Sequence, residues 1–540
     1  MKFLKPLVIA SLAAIAVSGC KKMDLAPTDR FSELNFWTID ANVYNALYNN
    51  YSLIYNSNLY FYNESLSDNA YSPSGDYAAI ASGVYTPSLP KFQGDWGYYY
   101  STILSCNLFL ANVDQNKTLP ADVISRLKAE TRFIRAFEHF NLAKWYGDVP
   151  LVDRVLTPEE AQQIPRSPQA TVLQFVVDEL QAAADALPSK DVLPASESGR
   201  ITKGAALALE ARVLLYEGDK MDQVAAICED LMNNQSTNGT YSLNSSYSAL
   251  FNDPTVNKTN SETILDIDYV PSVRTWNEFF DFAPRSVGGR VSSMAPTQEL
   301  VDSYIMLNGK GINDAGSGYD ENNPYVNRDP RLTATVVYNG YKWVNPDGTT
   351  KTIYIKPGTD PDPAALDEYS QTSQSSSKTG YYWRKYFDPI AQTDFASGSN
   401  LHLIRYAEVL LDYAEAKNSL GQMDATVWDE TIGALRRRAG FIDPGALNYP
   451  GNTDMTNIIR RERRVELAME GIRPDDIRRW KIAEIVMNGY VHGAKFGDPS
   501  VDNGYIRVQQ RQFDPAKNYL WPIPASELSL DQNLTQNPGY

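Results

Sequence analysis

Glu462, Glu466 and Glu470 recur four residues apart in RRERRVELAMEGIRPDDIRRW, so a helix over 454–470 would carry three carboxylates on one face. Carboxylate pairs hydrolyse glycosides when one acid sits on each side of the scissile bond at a defined separation. Here the acids are interleaved with Arg460, Arg461, Arg463, Arg464 and Arg473. Like charges at this spacing repel unless compensated, and these arginines offer compensation, so the pattern reads as an ion-pair network. No other catalytic signature accompanies it. There is no GxSxG elbow and no HExxH, and GKG at 309–311 lacks the rest of a phosphate-binding loop. Three histidines (His139, His402, His492) and three cysteines (Cys20, Cys106, Cys228) leave few soft ligands for zinc or copper. DAGSGYDENN at 314–323 has oxygen ligands and glycines without EF-hand spacing, and a solvated loop is expected there over a structural calcium site. The expectation is a protein that is not an enzyme and carries no cofactor.

Binding chemistry is better represented. The chain holds 34 Tyr, 19 Phe and 9 Trp, rings that serve equally as core material and as platforms for the apolar faces of sugars. A sugar-binding surface needs one or two such rings beside Asn, Asp or Arg groups that hydrogen-bond ring hydroxyls. Two turn-rich stretches combine them. SDNAYSPSGDY supplies Asp68, Asn69, Tyr71 and Tyr77, and VRTWNEFFDF supplies Arg274, Trp276, Asn277 and Phe279, with Arg290 close behind in GGR. Trp96 and Tyr98 to Tyr100, within GDWGYYY, read instead as packing against a neighbouring helix.

The 540 residues, 43% hydrophobic and 21% charged, suffice for a large buried core and exclude a disordered or fibrous chain. A net charge of −16 argues against nucleic acid, whose phosphates a binder must neutralise. At the N-terminus, Lys2 and Lys5 precede an apolar run from Leu7 to Val17, too short to span a bilayer, and then VSGC ending at Cys20. This predicts a leader over 1–19 similar to a bacterial lipoprotein signal, with acylation of Cys20 tying the mature chain to a membrane. Cys106 and Cys228 lie in apolar helical contexts and read as buried free thiols, although an oxidising compartment would allow them to pair.

The elements that must hold these residues are mainly helical. From 120 to 146 apolar residues recur at helical spacing (Ile124, Leu127, Ile134, Phe137) and stop at Gly147. Ser167-Pro168 opens a second helix as N-cap and first-turn proline, a third runs over 202–216, and a fourth passes through Val224, Ile227 and Leu231. In the C-terminal part Leu403, Tyr406, Leu410 and Tyr413 mark a helix ending near Gly421, with others through Leu435 and over 454–470. Three helix ends look alike (WYGD, YEGD, SLGQMD), the pattern of a tetratricopeptide-like stack of helix pairs, at irregular intervals. Between about 236 and 400 the texture turns to loops and short strands such as ETILDIDY and RLTATVVY. The predicted fold class is therefore mainly α: one domain over 20–540, with a helical scaffold over about 30–235 and 400–540 and an inserted loop and short-strand region between.

Seven segments, in order along nearly the whole mature chain, make it similar to the SusD/RagB family of outer-membrane nutrient-binding lipoproteins. They are GDWGYYYSTILSCNLFLANVD, LKAETRFIRAFEHFNLAKWYGDVPLV, GRITKGAALALEARVLLYEGD, DPRL at 329–332, IRYAEVLLDYAEAKNSLG, RRERRVELAMEGIRPDDIRRW and the terminal YLWPIPASELSLDQNLTQNPGY. The resemblance implies a lipid-anchored helical body at the cell outer membrane. It also implies a SusC-like TonB-dependent outer-membrane barrel as partner, over which the protein is a substrate-capturing lid. Its ligands would be oligosaccharides or polysaccharide fragments, or peptides as in one branch of the family. The region around 68–77 corresponds to one that contributes to ligand contact in the family. The family's starch-binding member has a tryptophan near the place of Arg290, a departure that makes a charged or differently shaped sugar thinkable here. Surface exposure is implied by the resemblance alone, since KKMD after Cys20 supplies only Asp24 where exported relatives often have an acidic stretch.

Overall fold

The computed structural model describes residues 35–391, 394–451 and 454–540; the predicted leader and Cys20 lie outside them. The longer helices of the N-terminal part are α1 (Asp40–Ser52), α2 (Pro90–Asn112), α3 (Ala121–Tyr146), α4 (Gln169–Ala186), α5 (Lys203–Glu217) and α6 (Met221–Asn233). A short α7 (Gln298–Ser303) lies in the insertion, and α8 (Tyr406–Ser419), α9 (Ile432–Ala439), α10 (Met455–Glu466) and α11 (Arg473–Arg479) follow it. Each helix from α2 to α6 packs on the next, and α8 continues the array against α6, with α10 against α8. The expected tetratricopeptide-like scaffold is thus one stack assembled from both ends of the chain. No helix among the described residues is long and apolar enough to cross a membrane. Cys106 and Cys228 are free and buried.

The residues of α3 show why the stack forms. Leu127, Phe133, Ile134, Phe137 and Phe140 are all buried on its packed faces, and the helix ends where Gly147 turns to φ +74°. A Cβ at position 147 would lie 2.8 Å from Leu520, so the glycine also admits the C-terminal segment. Trp521 stacks on Trp145 with ring centroids 4.2 Å apart, and its backbone N–H donates to Trp145 O at 2.6 Å. His139 is buried on the same helix; burial first, then the nearby Arg135 charge, push its pKa down to about 4. Trp96 and Tyr99 of α2 are likewise buried.

Local chemistry moves some predicted boundaries. Ser167 does not cap α4: it pairs with Val149 across an isolated bridge, and Gln169 N–H, at the start of α4, donates to the Asp148 carboxylate at 2.8 Å. Leu403 belongs to a strand, and α8 begins only at Tyr406. In RLTATVVY the first part is a helical turn, Pro330–Thr335, because Asp329 accepts from Arg331 N at 2.9 Å and Pro330 is preset for the first turn.

Among the described residues the strands are short. They are β1 (Ala70–Tyr71), β2 (Thr263–Ile267), β3 (Ala295–Pro296), β4 (Val336–Val337), β5 (Tyr341–Val344), β6 (Thr350–Ile353), β7 (Tyr382–Trp383), β8 (Leu401–Arg405), β9 (Gly489–His492) and β10 (Arg507–Arg511). They pair only two by two, all antiparallel: β1 with β3, β2 with β8, β4 with β7, β5 with β6 and β9 with β10.

The carboxylate trio is an ion-pair network, but its geometry and partners differ from those predicted. α10 stops at Glu466, and a turn through Met469 at φ +66° carries Glu470 back to the same buried layer. Glu462 pairs with Arg331 (2.7 Å) and Arg436 (2.9 Å). Glu466 pairs with Arg405 (2.6 Å), Arg331 (2.9 Å) and Arg438, and Glu470 with Arg405 (2.8 Å) and Lys385 (2.7 Å). The arginines adjacent in sequence point elsewhere. Arg463 holds Asp412 (2.5 Å) and Asp476 (2.9 Å), Arg464 and Arg473 hold Asp68 (3.0 and 2.8 Å), and Arg460 lies over the Trp480 ring.

Candidate functional site

The hairpin of β9 and β10 faces α7 across a cleft. Alternation along β9 puts Tyr490 and His492 on one face and buries Val491 on the other. From α7 come Gln298, Glu299 and Asp302. The cleft has two lobes, of about 460 and 430 Å³, which share Glu299, Asp302, Tyr490 and His492. Each lobe lies in the ~300–1,000 Å³ range of small-molecule sites. The first is completed by Asp502, Asn503 and Tyr505, the second by Arg464, Asn488, Arg511 and the apolar Ile485 to Met487. Tyr490 is 40% exposed, an open ring at the junction of the two. A separate recess of about 240 Å³ around Lys258, Asp266 and Asp268 is polar and lined by no aromatic ring.

Both walls are held by backbone contacts from the segment around β1. Thr297 caps α7: its Oγ1 accepts from Leu300 N at 3.2 Å and donates to Asp68 O at 2.7 Å, while Thr297 N–H donates to Asn69 O at 3.0 Å. Arg511, at the end of β10, donates to Ser67 O (2.6 Å) and Ala70 O (2.9 Å). The hairpin tip is a turn in which Asp502 (φ +45°), Asn503 (φ +54°) and Gly504 (φ +88°) are consecutively left-handed. Asn and Asp tolerate that conformation better than most residues, and Gly504 N–H to Val501 O (2.9 Å) and Tyr505 N–H to Asp502 O (3.1 Å) pin it.

Charge runs across the first lobe as a chain. His492 sets Nδ1 2.8 Å from Glu299 and Nε2 3.0 Å from Asp502, both donors when the ring is protonated, and Arg507 grips Asp502 bidentately (2.6 and 2.8 Å) while lying over the Tyr490 ring at 4.4 Å. Both His492 nitrogens therefore face carboxylates. The bond to Glu299 raises the imidazole pKa, burial opposes it, and the bond to Asp502 adds to it. A raised pKa means that the imidazolium bridge is fully formed below the ordinary histidine pKa and is lost as pH rises through the shifted value. A histidine NMR titration should therefore give His492 a pKa above that of an unperturbed histidine, and Glu299→Gln should bring it down. Asp302 has a different environment. Burial raises its pKa, Gln298 Nε2 donates to it at 2.7 Å, and it has no ion pair. Burial also pushes Tyr505 up to about 12.

Most residues of the two predicted loops are engaged in support. Asp68 lines the second lobe but is buried and ion-paired to Arg464 and Arg473, which hold its carboxyl far below the ordinary range against the opposing effect of burial. Asn69 is fully buried, donating to Glu64 (2.7 Å) and accepting from Arg464 (2.6 Å). Tyr77 is buried against Tyr62 and under Lys91, and Tyr71 is half-buried beside β3. In the second loop, Trp276 is 3% exposed, packs on Phe61 and donates Nε1–H to Ser399 O at 2.7 Å; Phe279 is fully buried. Neither ring offers an open face to a sugar. Arg274 lies over Tyr269 and donates to Asp268 O, and of the predicted residues in this loop only Asn277 is exposed. Arg290, the basis for thinking of a charged sugar, is clamped by Asp281 through two bonds of 2.8 and 2.9 Å. Ser72 of the first loop, and Tyr62 before it, bond to Ser293, three residues beyond Arg290, at 2.7 Å. In the 314–323 loop, Asp314 accepts from Gly311 N and Asp320 from Asn322 and Asn323, so these carboxylates shape the turn. Among the described residues no group of three or more His, Cys, Asp or Glu is placed to hold a metal.

Sequence reasoning missed Gln298, Glu299, Asp302, Tyr490, His492 and Tyr505. A signal existed in NGYVH and DNGY, where Tyr stands beside turn-forming Asn and Gly as it does in 68–77.

Comparison with known proteins follows the same lines. A family model described as the SusD family matches residues 231–540, and one described as starch-binding associating with outer membrane matches 21–215. The chain is 28% identical over 467 residues to SusD-like protein P2 of Formosa agariphila, covering 82% of this chain and 80% of that one. Its fold matches a SusD-like carbohydrate binding protein of Bacteroides fragilis with TM-score 0.81 and 33% identity, over 93% of this chain and all of the other. A second SusD-like protein of B. fragilis matches with TM-score 0.77 and 28% identity, over 95% of this chain and all of the other.

Proposed function

The chain belongs to the SusD family, and from that premise we propose that it binds oligosaccharides or polysaccharide fragments in the Tyr490 cleft and delivers them, unaltered, to a TonB-dependent outer-membrane barrel. The observation that carries the reading is the exposed Tyr490 ring set between two polar lobes, the pairing of stacking platform and hydrogen-bonding groups that a sugar requires. The carbohydrate-binding B. fragilis relative supports the ligand class. Capture without cleavage is supported by the engagement of the carboxylate facing Glu299 and Asp302 across the cleft: Asp502 is held by Arg507 through two bonds and by His492. Acylation at Cys20 would hold the protein at the outer membrane, on the cell surface and beside the barrel.

Calorimetric titration of the purified full chain against neutral polysaccharides, acidic polysaccharides and mixed peptides, with chromatography of each mixture, tests this reading. Saturable heat with a glycan and no new products is the expected result. Heat with peptides alone would transfer the function to peptide capture, and cleavage products would end the non-catalytic reading. Membranes carrying a tagged chain should yield a large barrel protein with it.

A further inference from the structure

We propose that the cleft discriminates by charge, accepting a sugar face that donates hydrogen bonds and rejecting a carboxylated one, with Asp302 as the residue that reads the difference. This rests on the glycan-binding reading above. The donors of the cations around the cleft are already committed: those of Arg507 to Asp502, of Arg464 to Asp68 and Asn69, and of Arg511 to the carbonyls of Ser67 and Ala70. Arg328, behind α7, donates only to the backbone carbonyls of Val301, Tyr304 and Pro324. The carboxylates are not matched in the same way. Asp302 lines both lobes with one bond from Gln298 and no cation in contact. Beside it, Glu299 gives one oxygen to His492, while Oε2 is shielded from water without a hydrogen-bond partner.

A ligand carboxylate or sulfate entering between these groups would meet the Asp302 carboxylate, which no cation contacts, beside Glu299, which is paired only with His492, in a site of reduced dielectric. A hydroxyl or an ammonium would instead supply the donor that Asp302 lacks. The shared chemistry is hydrogen-bond donation to a carboxylate, and it has two sources, neutral sugars and sugars with free amino groups.

The test is titration of the purified full chain at pH 7 with neutral, amino-bearing and uronate oligosaccharides of equal length. Neutral or amino-bearing chains should bind at least about tenfold more tightly than uronates. An amino-sugar advantage that shrinks with salt identifies ammonium as the donor, and equal affinities identify hydroxyls; both support the proposal. Asp302→Asn should narrow the gap by raising uronate affinity, and Glu299→Gln should do so independently. A uronate that binds as tightly as a neutral chain, with binding lost in Tyr490→Ala, would overturn the charge reading and leave glycan capture standing. The same holds for a gap that neither variant narrows. No binding of any oligosaccharide by the folded chain would instead remove the glycan reading beneath it.

Discussion

Replacing Glu466 with alanine should lower the unfolding free energy by about 3–5 kcal/mol, because it leaves buried arginines without their counter-charge. Glu466 accepts from Arg405 and Arg438 through one oxygen and from Arg331 through the other, and the residues in this group are at most 4% exposed at their side chains. Burial alone would raise the Glu466 pKa, but Arg438, Arg405 and Arg331 together hold it well below the ordinary carboxylate range. A depressed carboxyl pKa stabilises the fold at all pH values above the unfolded-state pKa, and that stability is lost as pH falls through the folded-state pKa. The layer should therefore survive mild acid and fail only in strong acid. Urea unfolding monitored by tryptophan fluorescence gives the alanine penalty. A loss below about 1 kcal/mol would show that the arginines find water or other partners, contrary to their burial. Removing Arg405 together with Glu466 should cost less than the two single losses added, as it must for groups sharing one network.

Tyr490→Ala should weaken glycan binding by about 10- to 30-fold, the effect of losing a central aromatic anchor, while leaving the melting temperature nearly unchanged. The stability half of the expectation follows from exposure: the ring is 40% accessible and is covered on one side by Arg507, not by core. The affinity half follows from position, since the ring belongs to both lobes. Tyr490→Phe should keep most of the binding if stacking dominates over the phenol hydroxyl. Calorimetry of the wild type and both variants with the best ligand of the panel separates these contributions. An alanine variant that binds like the wild type would move the ligand away from this cleft.

The scaffold was legible because its signals are local. The apolar spacing of α3 and the left-handed glycines 147, 218 and 421 act within a few residues of where they stand. The charged layer was half legible. Compensation of Glu462, Glu466 and Glu470 was readable, but their partners Arg331, Arg405 and Arg438 come from other elements, and nothing local distinguishes them from the arginines next door. The site was not legible, for the same reason: Asp302 and Tyr490 stand 188 positions apart and meet only because β9 folds against α7. The loops nominated for their composition, 68–77 and 274–290, bury Asn69, Tyr77 and Trp276; of their nominated Tyr, Trp and Asn residues only Asn277 is exposed, with Tyr71 half-buried. Aromatic and polar side chains packed under a wall leave the same trace in a sequence as those displayed on it.

The grip of Arg511 on the segment around β1 is made entirely to main-chain carbonyls, and every residue type provides a carbonyl. The bonds of Arg511 are therefore indifferent to the side chains at positions 67 and 70, while the neighbouring Asp68 and Asn69 are tied down separately by Arg473 and Arg464. The exposed positions 498–501 of the connection can be rewritten without unseating the hairpin, provided the arginine stays, whereas Asp68, Asn69, Gly493 and the 502–504 turn are fixed by their own contacts. A lineage that changed its diet could thus exchange the ligand-facing surface piecemeal while the helical stack beneath it remained untouched, and a designer could graft new hairpin tips onto the same frame.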